Sequence, residues 1–172
     1  MEFQLNLNGN GRGTIAALAM TLLLSSCATT QPNGSPSLAG TWTLVAADKE
    51  FPDGKRVHEY GEHPKGRMII DEKGRYSIQI FQPELPNFPV NESEPTPAEY
   101  RDAMEAASTH YGEITVDWTN HILRMAIDAS LWPNLRGSVQ VRPFEFDREV
   151  LSYRIPPGPE RIVRITEWRR EK

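Results

Sequence analysis

The sequence predicts a mainly β fold: an antiparallel barrel of eight strands running up and down, with one helix inserted midway. Three observations carry that reading. Residues 38–172 hold short segments of alternating apolar and polar side chains, rich in β-branched and aromatic types. Turn signals such as Asp53-Gly54 and Glu72-Lys73-Gly74 separate them at short, regular spacing. A single stretch, opening at Thr96, carries a helix start signal. Eight strands that close on themselves leave an interior able to hold one small ligand.

The 172 residues suffice for one domain and a short tail. Without the amino-terminal segment about 145 remain, a length that buries roughly two-thirds of its surface on folding, so neither disulfides nor structural metal are needed. Net charge is -4 and no dense Lys/Arg run stands out, which argues against a nucleic-acid partner. The most basic stretch, Arg161 to Lys172, reads as a solvated strand end. The lone cysteine, Cys27, rules out an intrachain disulfide, and no CxxC or Cys/His cluster offers a zinc site.

Residues 14–24 form an apolar run too short to span a bilayer comfortably, preceded by Arg12 and followed by small residues, as in a secretory signal peptide. The run ends in Leu24-Ser25-Ser26-Cys27, which resembles the lipobox of bacterial lipoproteins. The resemblance implies lipid transfer to the Cys27 sulfur, cleavage after Ser26 and a stable acyl anchor. Ala28, in place of Asp, favours the outer membrane, with the domain facing the periplasm. The expected division is a signal peptide over 1–26, a lipidated disordered tether over 27–37, and a barrel domain over 38–172.

Within the domain, Leu38 to Val45 reads as the first strand, with Gly40 freeing the backbone and Trp42 forming a floor for later strands. A short edge strand near Val57 follows the Asp53-Gly54 turn. Residues 65–71 and 75–81 make a hairpin whose second arm sets Tyr76, Ile78 and Ile80 on one face. Residues 82–96, with Pro83, Pro86, Pro89 and Pro95, form a long loop. Thr96-Pro97-Ala98-Glu99 is a capping box with proline at the first helical position. The helix is expected to run on through Ala107 and Tyr111 and to stop at Gly112, which places His110 in its last turn. Strands over 112–117, 121–128, 137–146, 150–155 and 161–169 complete the wall. Within 137–146 the phase changes: Val139 and Val141 share one face, Phe144 and Phe146 take the opposite parity, and Pro143 between them suggests a bulge or an edge.

From Gly40-Thr41-Trp42 through Tyr60-Gly61, Gly66-Arg67-Met68, Glu99-Tyr100-Arg101, Tyr111-Gly112, Leu131-Trp132-Pro133-Asn134 and Arg136-Gly137 to Arg142-Pro143-Phe144, the chain resembles bacterial lipocalin-like domains. The resemblance implies an up-and-down barrel with its helix inserted midway, and an arginine of the last strand lying over Trp42. Arg164 and Arg169 are the candidates for that arginine. No shared chemistry comes with the family.

The residues themselves offer little chemistry. His58-Glu59-Tyr60-Gly61-Glu62-His63 spaces its histidines five apart in a loop, unlike a helical HExxH, so no metal is expected. His110 reads as a helix cap rather than a general base, and His121 as an exposed turn residue. No nucleophile elbow, phosphate loop or dinucleotide fingerprint occurs, and no cofactor is expected. Trp42, Tyr76, Ile78, Trp132 and Phe144 are the candidate ligand-binding residues, against a plain core role. The resulting expectation is a monomeric, lipid-anchored barrel that binds a small hydrophobic molecule or lipid and is not an enzyme. The alternatives are an isomerase or hydrolase using His58, His110 or a loop carboxylate, and an envelope interaction protein with a filled barrel.

Overall fold

A computed structural model of the chain describes residues 35–84, 87–88 and 95–172. Cys27, the segment before it, most of the tether and the middle of the proline-rich loop lie outside the described residues.

Nine strands form one antiparallel sheet: β1 (Gly40–Glu50), β2 (Arg56–His58), β3 (Lys65–Ile70), β4 (Arg75–Phe81), β5 (Ala107–Asp117), β6 (Ile122–Ser130), β7 (Val139–Phe146), β8 (Val150–Ile155) and β9 (Val163–Arg170). From β3 to β9 each strand pairs with the next, and β9 returns to β1, which closes a wall of eight. β2 is the edge strand expected near Val57; it pairs only with the far end of β1, while Gly40 to Thr43 of β1 pair with β3. The β1–β9 register shifts between Leu44 and Ala46. That bulge swaps inward parity from Trp42 and Leu44 to Ala47 and Lys49, so one strand serves both the packed end and the open end.

Trp42, Met68, Leu123, Met125, Leu151 and Trp168 fill one end of the barrel and are each 0% exposed. Each such side chain contributes about 1.5–3 kcal/mol by leaving water. The Trp42 indole N–H donates to the Leu38 carbonyl at 3.0 Å, which ties the entering chain under the floor. The arginine over Trp42 is neither Arg164 nor Arg169 but Arg170, with its guanidinium carbon 4.2 Å from the ring centroid. Its nitrogens donate to the carbonyls of Ser37, Ala39 and Arg148. Register explains the difference: Arg170 pairs with Trp42, Arg169 points outward, and Arg164 sits at the other end opposite Lys49.

The helix, α1 (Pro97–Glu105), starts as expected, with the Thr96–Glu99 capping box formed. Its last residue is Glu105, seven residues before Gly112, and none of its residues is buried. Ala107 to Glu113 pair instead with β4 down to Arg75. Ser108-Thr109-His110-Tyr111 pair residue by residue with Ile80 back to Ser77, and these β-branched, aromatic and short polar residues favour that ladder over a thin alanine stripe. His110 is therefore a strand residue, 7% exposed and facing the interior. Gly112 is not a helix stop but a close-approach site, where a Cβ would lie 1.9 Å from the Ala126 carbonyl oxygen.

β7 holds the other correction. Its ladder to β6 runs without a shift from Val139 to Pro143, so no bulge resets the phase. Gln140, Arg142 and Phe144 face inward throughout, while Val139 and Val141 face out at 59% and 40% exposure. The change read from the sequence is one of polarity, not of geometry. An edge does exist there: β8 pairs with β7 only over Phe144 to Phe146, which leaves residues 139–143 without a β8 partner.

Candidate functional site

Above the packed end the interior opens into a cavity of about 720 Å³. Strand alternation delivers its walls. β4 supplies Ile78 and Ile80, β8 supplies Tyr153 and Ile155, and β9 supplies Ile165 and Thr166. β5 contributes Ser108 and His110, and β7 contributes Gln140 and Arg142. Trp132, which caps a short 3₁₀ turn (Pro133–Leu135), and Leu135 at the end of that turn stand beside the opening with Tyr60.

Two cations at the rim share one carboxylate. Glu59 takes both Lys49 at 2.9 Å and Arg164 at 3.1 Å. His58 turns away to Asp48 at 2.8 Å, so the two histidines and two carboxylates of that loop do not converge. Among the described residues no group of three or more His, Cys, Asp or Glu is placed to hold a metal.

Deeper in, the polar groups behave differently. His110 Nδ1 shares a hydrogen bond of 2.9 Å with the Tyr76 hydroxyl, and the two rings meet edge to face. Burial, with a smaller push from the Arg142 charge, takes the imidazole down to about 3, so it stays neutral. Burial likewise holds the Tyr76 phenol well above its ordinary range, and it keeps its proton. Arg142 is 4% exposed and lines the cavity, yet among the described residues it has no ion-pair partner, and its Nε finds no acceptor. The Tyr153 ring lies 5.0 Å from the guanidinium carbon. A desolvated cation–π contact is worth about 2 kcal/mol. Burying an ion costs several kcal/mol even after relaxation, so the ring leaves the charge under-compensated.

The sequence-derived candidates divide by depth. Ile78 and Trp132 line the cavity. Tyr76 lies below it and reaches it through His110. Trp42 and Phe144 belong to the packed end, where Trp42 meets Phe146 and Phe144 meets Trp118, both edge to face. Arg142, Gln140, Ser108 and Tyr153 were not among the candidates. A signal for the first two was present: alternation carried back from Phe144 places Arg142 and Gln140 inside. Alternation carried back from Ile114 through Gly112 does the same for His110 and Ser108, once no helix is imposed on them.

A closed up-and-down wall with a helix inserted between its fourth and fifth strands, packed at one end and hollow at the other, defines a small barrel with a built-in cavity. Residues 39–170 match the family model described as a lipocalin-like domain, and the chain belongs to that family. No curated protein and no solved structure matched the chain in the corresponding searches.

Proposed function

We propose that this protein holds a small, largely apolar molecule in the barrel cavity and works as a monomer tethered to the outer membrane by lipid on Cys27. The observation that carries the binding reading is the cavity itself, about 720 Å³, within the range of natural ligand sites. Its aliphatic wall of Ile78, Ile80, Ile155 and Ile165 would take the apolar body of the ligand, with Trp132 over the opening. A filled barrel, the structural alternative, has no such space. Native mass spectrometry tests the reading. A co-purifying small molecule, or uptake of an added apolar probe, is the expected result; neither being seen would remove it. The anchor reading rests on Leu24-Ser25-Ser26-Cys27. Metabolic labelling with a fatty acid should mark the chain and should be lost in Cys27→Ala.

A second reading is favoured by one observation, the neutral His110 joined to Tyr76 behind the cavity wall. An isomerase or hydrolase could use such a pair on a small hydrophobic substrate. The two readings separate on whether ligand recovered after incubation is chemically changed.

A further inference from the structure

We propose that the ligand is a monoacid, an apolar body ending in one carboxylate, and that it enters head first to place that carboxylate on Arg142. This rests on the binding reading above and specifies its ligand. Arg142 is 4% exposed, lines the cavity and makes no ion pair or hydrogen bond among the described residues. A guanidinium is a permanent cation, and one buried without a counter-charge requires an anion to complete it. The other cations of the lining, Lys49 and Arg164, share Glu59, and the second carboxylate of the lining, the exposed Glu105, makes no ion pair with Arg142 among the described residues. The planar fork of guanidinium N–H donors matches a carboxylate in two parallel hydrogen bonds.

Position sets the orientation. On β7, Arg142 lies between Phe144 of the packed end and Gln140 of the upper wall, so the charge sits at the cavity floor. The aliphatic surface lies above it, toward Trp132. A ligand that satisfies both must carry its head at the bottom and its apolar body toward the mouth. Tyr153 at 5.0 Å steadies the guanidinium from one side.

The experiment is competition against an uncharged fluorescent probe, N-phenyl-1-naphthylamine, on the full chain, using decanoate, decan-1-ol and methyl decanoate. The acid should displace the probe at a concentration at least about tenfold below either neutral analogue, since truncating a buried charge pair typically costs more than that. In Arg142→Met, and in Arg142→Gln as a polar control, the preference should vanish while decan-1-ol displaces as before. Probe binding by each variant reports that the barrel has formed, and the acid-against-alcohol contrast in the unaltered chain stands without any variant. Equal displacement by acid and alcohol overturns the proposal, as does an acid preference that survives in Arg142→Met. If the probe binds and none of the three displaces it, the monoacid is overturned and the binding reading stands. A chain that binds neither probe nor competitor removes both.

Discussion

Replacing Arg142 with methionine should make the ligand-free protein more stable, by about 1 kcal/mol or more, because it exchanges a poorly compensated buried cation for an apolar side chain of similar length. A rise in the urea midpoint at unchanged slope is the readout. His110 makes the matching statement about pH. Its imidazole has an ordinary value of 6.5 and is held at about 3 in the folded state. Between those values the unfolded chain binds the extra proton, so this group's contribution is fully present above 6.5 and is lost as pH falls toward 3. His110→Gln, which can still reach the Tyr76 hydroxyl, should flatten that part of the stability profile relative to the parent chain. Single residues were unevenly legible. Trp42 could be placed as the floor because size and alternation agree there. The arginine above it could not, because choosing among Arg164, Arg169 and Arg170 requires the β1–β9 register, which depends on a bulge at Val45 that no local signal marks.

Gly112 and the start of β5 carry the lesson at the next scale. Gly112→Ala would drive a Cβ to 1.9 Å from the Ala126 carbonyl oxygen, in a strand paired along both edges. A loss of about 3 kcal/mol or more is expected, seen as a collapse of the thermal midpoint. Gly54→Ala, whose added Cβ meets nothing within 4 Å, should cost only the left-handed backbone penalty of about 1–2 kcal/mol. The helix behaves oppositely. Thr96→Ala removes its capping box, worth about 1 kcal/mol to the helix. With no buried residue in α1, the loss should appear as faster amide exchange over residues 97–105 and leave the global midpoint in place. The hairpin of β3 and β4 was readable because one face of β4 is wholly apolar. The end of α1 was not, because Ala107 and Tyr111 fit a helical stripe as well as they fit a strand. β7 misled because the residues facing inward at 140 and 142 are polar, so hydrophobic phase pointed the wrong way where the cavity begins.

The molecule as a whole divides its interior into a dry packed end and a polar-footed cavity, and only the first half of that plan is written in hydrophobic pattern. Closure of the wall belongs to this scale too. It joins Trp42 to Arg170, and the Thr41 carbonyl accepts the Glu171 N–H at 2.8 Å. The second edge of β1, from Trp42 to Glu50, therefore has no partner until β9 is in place. Until then a strand edge stays open to other chains, the situation in which chaperones matter most. A chain stopped before residue 163 should accordingly partition into the insoluble fraction. The complete chain should refold in about milliseconds to seconds, the pace of folds whose decisive contacts span the whole sequence.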